Sequence, residues 1–399
     1  MNRKEIQQLV GAAERRDAAG FEVINNYIFR HPELGLQEDL SSQYLADFMR
    51  RKGFAVTMPY AGFDTAFRAE YGTKGPLFAF LAEYDALPGY GKANKNGHAC
   101  GHNWIASTAA GAAVVLANLA DQAEFRVALI GTPAEETYGA KVEMARRGAF
   151  DDVDVAFQAH LSHATATCSV ALAMDARIFE FKGKASHSAG APWNGINALD
   201  AVQLLYAGIN ALRQHVKPDV RIHGIITEGG QAANIVPDKA SCLFYIRAEN
   251  RSYLNTVIPR VENVARGAAM MTGAKLKIKN PELPMDDLIN LPVLQDLADI
   301  YFEANGVKPT VTPEMAAQAA GSTDVGNVSH VCPTAYVEVG LDGPDVFYAH
   351  EESALKLVDG PEARKKMHQT ICAMTGMALD LAIRPEQIET AKKQLQDRK

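Results

Sequence analysis

The sequence of 399 residues predicts an α/β protein whose mostly parallel sheet is covered by helices on both faces. Three short, apolar, β-prone segments alternate with helical segments over the first part of the chain, and this alternation predicts the sheet. The predicted strands are Leu77–Ala82, Phe125–Gly131 and Val153–Ala159, and the predicted helices between them are Ile105–Asn118 and Lys141–Arg147. Polar residues follow each strand, so we expect them to converge on one edge of the sheet.

A second pattern of elements begins near Arg177 and predicts an inserted ferredoxin-like α+β domain, because its order is β-α-β-β-α-β. Its elements are predicted at Ile178–Phe181, Ala198–Arg213, Val220–Ile226, Ala240–Ala248, Tyr253–Met271 and Lys275–Lys279. The chain then returns to the first domain, with further elements at Val293–Asn305, Thr334–Val339 and Pro361–Ile383. The predicted organisation is a discontinuous domain of residues 1–176 and 288–399, interrupted by a domain at 177–287.

Composition excludes several classes of protein. With 47% hydrophobic and 22% charged residues, the chain is neither disordered, nor fibrous, nor a small disulfide scaffold. The net charge of −7 would repel phosphates, so we expect no nucleic-acid partner. The apolar stretch Trp104–Ala120 is shorter than the roughly 20 residues that span a bilayer, so no membrane association is predicted. The five widely spaced cysteines predict reduced thiols in a cytoplasmic protein.

The segment Gly97–Asn103 carries the first candidate metal ligands. Cys100 and His102 are two residues apart, beside a glycine, at the start of a predicted helix. Thiolate and imidazole suit Zn²⁺ and neighbouring transition metals. A helix start that contains these residues without binding a metal remains an alternative at this point.

Two adjacent carboxylates, Glu135 and Glu136, follow the second predicted strand. Neighbouring side chains in extended backbone point in different directions, so one glutamate can ligate a metal while the other acts as a general base. The alternative is a solvated acidic turn. His160 and His350 add two imidazoles, although either alone is more often structural, and Asp85 is a candidate acceptor that orients His102.

Five ordered motifs resemble one known family, the aminoacylase, auxin-conjugate hydrolase and aminobenzoyl-glutamate hydrolase family of dinuclear metallopeptidases. The resemblance extends from His31 to His350. Its motifs are His98–Asn103, Gly131–Glu136, Ser186–Ala189 with Pro192 and Trp193, Gly229–Pro237, and Ser322–Asn327. The resemblance implies a zinc-peptidase-like sheet domain, here the catalytic domain, and an inserted domain that acts as a lid and dimerises.

The resemblance also implies residue roles. Two divalent ions, Mn or Zn, would be held by Cys100, His102, Glu136, His160 and His350, with Glu135 as the general base. His223 would reach the active site of the partner in a homodimer, and Asn234 and Arg247 would meet the substrate carboxylate. Many relatives have a histidine ligand where this chain has Glu83, and the glutamate together with Cys100 fits the auxin-conjugate and aminobenzoyl-glutamate branch.

The expected activity is metal-dependent cleavage of the amide bond in a small substrate, an N-acyl amino acid or a dipeptide-like conjugate. A cysteine hydrolase that uses Cys100 with His102 is one alternative, but it explains neither the paired glutamates nor His160 and His350. The other is a small-molecule binding protein that keeps the fold and has lost catalysis. The presence of all five candidate ligands and of the base disfavours that alternative.

Overall fold

The computed structural model describes residues 1–90, 95–312, 315 and 321–398, and it divides into two compact units. Unit 1 comprises Met1–Val170 and Leu288–Lys399, and unit 2 comprises Ala171–Asp287. The sequence predicted the divisions after residues 176 and 287. The first division lies earlier because the strand Ala173–Lys182 pairs along its whole length within the sheet of unit 2.

The elements follow one another along the chain in three groups. Unit 1 begins with α1 (Arg3–Arg30), α2 (Asp39–Arg51), β1 (Ala55–Thr57), β2 (Phe67–Tyr71), β3 (Leu77–Ala82), α3 (His102–Ala117), β4 (Arg126–Gly131), α4 (Ala140–Arg146) and β5 (Val155–Ser162). Unit 2 contains β6 (Ala173–Lys182), α5 (Ala198–Leu212), β7 (Arg221–Glu228), β8 (Lys239–Ala248), α6 (Arg251–Thr272) and β9 (Lys275–Lys279). Unit 1 then continues with α7 (Pro292–Ala304), α8 (Val325–Ser329), β10 (Thr334–Gly340), α9 (Ala354–Leu357), α10 (Pro361–Ile383) and α11 (Glu386–Gln396).

The sheet of unit 1 has the strand order β1-β2-β4-β3-β5-β10. Strands β4, β3, β5 and β10 are parallel, and β2 runs antiparallel to β4. The prediction of a mixed, mostly parallel sheet is therefore confirmed. All six residues of β3 are buried, as expected for a parallel strand whose two faces are both covered.

Helix α3 is the centre of unit 1, because every one of its sixteen residues is buried. It packs against β3, β4 and β5 and against the helices α1 and α10. Small side chains permit this close packing: a Cβ added at Gly111 would lie 2.4 Å from Ile371 Cδ1. Within the described ranges, none of the helices combines the length and the apolar character needed to cross a membrane.

Unit 2 is built on an antiparallel sheet with the order β7-β8-β6-β9, and its elements occur in the predicted β-α-β-β-α-β order. Alternate residues of β8 are buried under helices α5 and α6, and the residues between them are only partly buried. Asn197 and Asn250 cap the starts of the two helices, each by accepting hydrogen bonds from main-chain N–H groups. The face of the sheet that points away from α5 and α6 therefore carries the less buried side chains of β8.

Candidate metal centre

The polar side chains predicted to converge in unit 1 do lie at the carboxyl edge of its sheet. Glu83 directly follows β3, and Glu135 and Glu136 occupy the loop after β4. The sequence predicted that the next strand ends at Ala159, which is wrong, because β5 pairs with β10 as far as Ser162. His160 therefore lies within strand β5, and pairing with β10 fixes the position of its main chain.

Cys100 enters the same edge from the turn that precedes α3, and His102 enters it as the first residue of that helix. Gly101, between them, has φ of 84°, a left-handed conformation that residues with a Cβ rarely adopt. This turn brings a thiol and an imidazole to one point, with Cys100 only 7% exposed and His102 fully buried. The turn and the start of the helix thus present the side chains of Cys100 and His102 to this edge of the sheet.

The five predicted ligands come together in two overlapping groups. Cys100, His102 and His160 form one group and Cys100, Glu136 and His350 the other, and the ligand atoms of each group all lie within 4.8 Å of one another. Cys100 Sγ lies 3.5 Å from His160 Nε2, and His350 Nε2 lies 3.1 Å from Glu136 Oε1. Cys100 belongs to both groups, so its thiolate would be a ligand common to them.

Hydrogen bonds outside the cluster fix the direction of the imidazoles. Asp85 Oδ1 lies 2.8 Å from His102 Nδ1, and Asp85 Oδ2 accepts the main-chain N–H of Glu136 at 3.0 Å. The main-chain oxygen of Leu161 lies 2.6 Å from His160 Nδ1. Both rings therefore turn Nε2 into the cluster, the orientation that carboxylate and carbonyl partners impose on metal-binding histidines.

The buried imidazole of His102 shows that these residues fit divalent ions. His102 Nε2 is buried and has no hydrogen-bond partner among the described residues, although it points at the other ligand atoms. Burial, and then the charge of Glu136, raise the pKa of the Cys100 thiol well above its ordinary value. A bound cation would reverse that shift and satisfy the imidazole, because a thiol that ligates a metal is deprotonated.

Main-chain strain accompanies two of the loops that carry these residues. Ala134, directly before Glu135, has φ of 55°, and His350 has φ of 64°. Both conformations are unusual for residues with a Cβ, and such strain concentrates at functional sites. The Ala134 N–H donates to Glu38 Oε1 and the His350 N–H to the main-chain oxygen of Ala99, and these bonds hold the strained residues in place.

Comparison with known proteins identifies the family. Residues 79–372 match the peptidase family M20/M25/M40. The chain belongs to this family. The Xaa-Arg dipeptidase of Mus musculus is 34% identical over 416 residues, which cover 99% of this chain and 92% of the mouse protein. One of the subunits of the p-aminobenzoyl-glutamate hydrolase of Escherichia coli is 34% identical over 67% of this chain and 59% of its own length.

Solved structures of similar fold include a Bacillus subtilis protein described as a dinuclear metal-binding peptidase of the M20 family. It is 20% identical, with a TM-score of 0.68 and coverage of 92% of this chain and 99% of its own. This M20 protein is accordingly a hydrolase that acts on peptide or amide bonds. The resemblance predicted from the motifs is confirmed at the level of the family.

Two of the residues predicted in unit 2, His223 and Arg247, lie on the paired strands β7 and β8, whereas Asn234 lies in a loop. His223 is on the edge strand β7, directly opposite Tyr245 of β8, with the two rings 5.8 Å apart. Arg247, two residues beyond Tyr245, is half-buried, and its guanidinium carbon lies 6.0 Å from the Tyr245 ring centre. Asn234 lies in the exposed loop 229–237 that follows β7. Tyr245, which sequence reasoning missed, thus stands between two of the predicted residues.

Sequence reasoning also missed a buried ion pair beside the predicted ligands. Lys141 Nζ lies 2.6 Å from Glu83 Oε1 and 2.8 Å from Asp324 Oδ1, and none of the three side chains is exposed. Glu83 was noted only as a departure from relatives, and Asp324 only as part of a motif. A lysine in the first turn of a helix gives no local signal, because its partners are supplied by distant parts of the chain.

Proposed function

We propose that this M20 protein is a dinuclear metalloenzyme that hydrolyses the amide bond of an N-acyl amino acid or a dipeptide-like conjugate. The observation that carries the proposal is the pair of ligand groups that share Cys100, next to a second glutamate, Glu135, outside those two groups. The description of the Bacillus subtilis neighbour as a dinuclear metal-binding peptidase supports the same number of ions.

The residues that would hold the ions are Cys100, His102, Glu136, His160 and His350. Two divalent ions supply Lewis-acid polarisation of the scissile carbonyl and favour deprotonation of the attacking water. Thiolate and imidazole favour Zn²⁺, whereas the carboxylate and the half-exposed His350 also suit Mn²⁺. Asp85 keeps His102 turned toward the ions, and the Leu161 carbonyl does the same for His160.

Glu135 is the residue that transfers the proton from the attacking water to the leaving nitrogen. Its carboxylate lies in a group with His102 and Glu136, so it is next to the ligands. Burial, and then the charge of Glu83, raise the pKa of Glu135 well above its ordinary value, so its carboxylate, when ionised, is a stronger base than an exposed one. Glu135 takes a proton from the attacking water at a carboxylate oxygen, and it then gives that proton to the leaving nitrogen.

Substrate contacts would come from unit 2. His223 would stabilise the oxyanion of the tetrahedral intermediate in the partner subunit, and Arg247 and Asn234 would bind the substrate carboxylate. The similarity to the Xaa-Arg dipeptidases makes dipeptides with a basic carboxyl-terminal residue the first substrates to test, followed by aminobenzoyl-glutamate and N-acyl amino acids.

The homodimer would form through the edge strand β7. Ile225 and Ile226 on this strand are 62% and 47% exposed, and a sheet edge with exposed apolar residues is suited to pair with a second copy. We place the enzyme in the cytoplasm, because its five cysteines are odd in number and widely spaced, a pattern typical of reduced thiols.

A hydrolysis screen with metal removal and return tests the proposal. Chelator-treated protein should lose activity on all three substrate classes and regain it with two equivalents of Mn²⁺ or Zn²⁺ per chain. A cysteine hydrolase that uses Cys100 with His102 would keep its activity without metal. Full turnover by protein shown to be metal-free by mass spectrometry would exclude the metalloenzyme.

A further inference from the structure

A group of three carboxylates lies beside the candidate ligands and shares Glu135 with the group of His102, Glu135 and Glu136. Oxygens of Glu83, Glu135 and Asp324 lie within 4.8 Å of one another, and Glu83 and Asp324 are fully buried. An all-oxygen group of this kind suits hard divalent ions such as Mn²⁺ or Mg²⁺. An ion bound there would take Glu135 as a ligand and so remove the base that the proposed function requires.

Lys141 already supplies a cation to this group. Its ammonium lies 2.6 Å from Glu83 Oε1 and 2.8 Å from Asp324 Oδ1, and its own main-chain N–H donates to Asp324 Oδ2 at 3.1 Å. The side chain is fully buried. Because the ammonium is tethered to the chain by helix α4, it cannot dissociate as a free ion does.

The second carboxylate oxygen of Glu83 is a hydrogen-bond acceptor that this group of carboxylates leaves unused. Glu83 Oε2 is buried and accepts no hydrogen bond from the described residues. The nearby His102 Nε2 lies 3.7 Å away, beyond hydrogen-bond distance. A buried carboxylate oxygen without a donor costs free energy unless a cation is near, so this oxygen would favour an ion if Lys141 were absent.

We propose that Lys141 is a built-in cation that keeps a third metal ion out of the group of Glu83, Glu135 and Asp324, and thereby reserves Glu135 for proton transfer. The proposal rests on the proposed function, because it assumes ions at the two ligand groups that share Cys100. It makes Lys141 a positioning residue: the ammonium touches neither the substrate nor the ligands of the two ions, and it acts through Glu83 and Asp324.

The test counts Mn²⁺ ions bound per chain, by electron paramagnetic resonance during a titration of the metal-free protein. Lys141→Met keeps the length of the side chain and removes the charge, and it should bind one ion more than the wild type. Lys141→Met with Asp324→Asn should return to the wild-type number, because one carboxylate of the group is lost. In the single variant, turnover should fall at least about tenfold as the extra ion binds, since Glu135 becomes a ligand.

Lys366→Met is the matched control. Lys366 is a second buried lysine of unit 1, but its ammonium pairs with Asp342 and donates to the main-chain oxygen of Gly306. Lys366→Met removes a buried ammonium, but that ammonium does not neutralise a group of three carboxylates. The number of bound ions should therefore equal that of the wild type.

The outcomes separate this inference from the proposed function. A wild type that binds neither Mn²⁺ nor Zn²⁺ overturns the dinuclear enzyme, whereas equal numbers of ions for the wild type and Lys141→Met overturn the role of Lys141. Should Lys141→Met fail to fold, anomalous diffraction from wild-type crystals soaked in Mn²⁺ decides the matter. We expect no manganese peak among Glu83, Glu135 and Asp324, and a peak there would contradict the proposal.

Discussion

The predicted functional residues of unit 1 and those of unit 2 differ in how firmly the chain holds them. In unit 1, His102 and Asp85 are buried and hydrogen-bonded to each other, and the Glu136 main chain is bonded to the same aspartate. In unit 2, His223 and Asn234 are exposed. A pre-organised group can bind ions without further change, whereas exposed side chains become effective only when a substrate or a partner subunit covers them.

The largest effect is expected at Glu135. Glu135→Gln keeps the shape of the side chain and removes the proton acceptor, so turnover should fall about 10²–10⁴-fold while both ions stay bound. Steady-state kinetics together with metal analysis measure the two quantities. Glu143→Gln is the control, because Glu143 pairs with Arg147 on the surface of α4. Near-normal turnover in Glu135→Gln would remove this residue from the proton transfer.

His223 should show the next largest effect. His223→Ala removes an oxyanion donor, and such donors contribute about 10²–10³-fold to turnover. If the residue serves the partner subunit, mixing His223→Ala with Glu135→Gln should restore activity. Random exchange makes about half of the dimers mixed, each with one intact site of two, so roughly a quarter of wild-type activity should return.

Subunit exchange must be verified for this result to count. Native mass spectrometry of the mixture shows whether mixed dimers form. Activity that stays at the sum of the two separate variants, with mixed dimers present, would mean that His223 acts within its own chain or has no role. The exposed residues of unit 2 would then need no partner, and the contrast with unit 1 would weaken.

Asp85 tests whether unit 1 depends on its hydrogen bonds. Asp85→Asn weakens the orientation of His102, and loss of such a partner lowers metal affinity about 10–100-fold. Competition with a chelator measures the affinity. Asp154→Asn is a matched control, because Asp154 also accepts a main-chain N–H, that of Leu77, at the opposite end of β3. Equal affinities for the two variants would show that the cluster is held by its ligands alone.

The sequence predicted local elements better than it predicted long-range pairing. Helix Pro361–Ile383 and strand Lys275–Lys279 have the predicted bounds, because their apolar periodicity and flanking residues are local signals. The five candidate ligands come from a family resemblance, and the structure brings their side chains together in two groups that share Cys100. The antiparallel strand β2 and the ion pair of Lys141 with Asp324 were not predicted. Both depend on partners that are distant in sequence, and a local pattern does not report these.

Substitution of Arg247 should have the smallest effect on catalysis. It tests whether this half-buried residue of unit 2 binds substrate. Arg247→Lys keeps the charge but loses the fork of donors that matches a carboxylate, so KM should rise about tenfold with kcat nearly unchanged. Arg221→Lys is the control, because Arg221 lies directly opposite Arg247 in the sheet and its guanidinium donates to the main-chain oxygens of Pro218 and Val220. If both variants raise KM equally, the effect is not specific to the guanidinium of Arg247. If neither variant raises KM, the substrate carboxylate is bound elsewhere. Arg247 then has no part in substrate recognition.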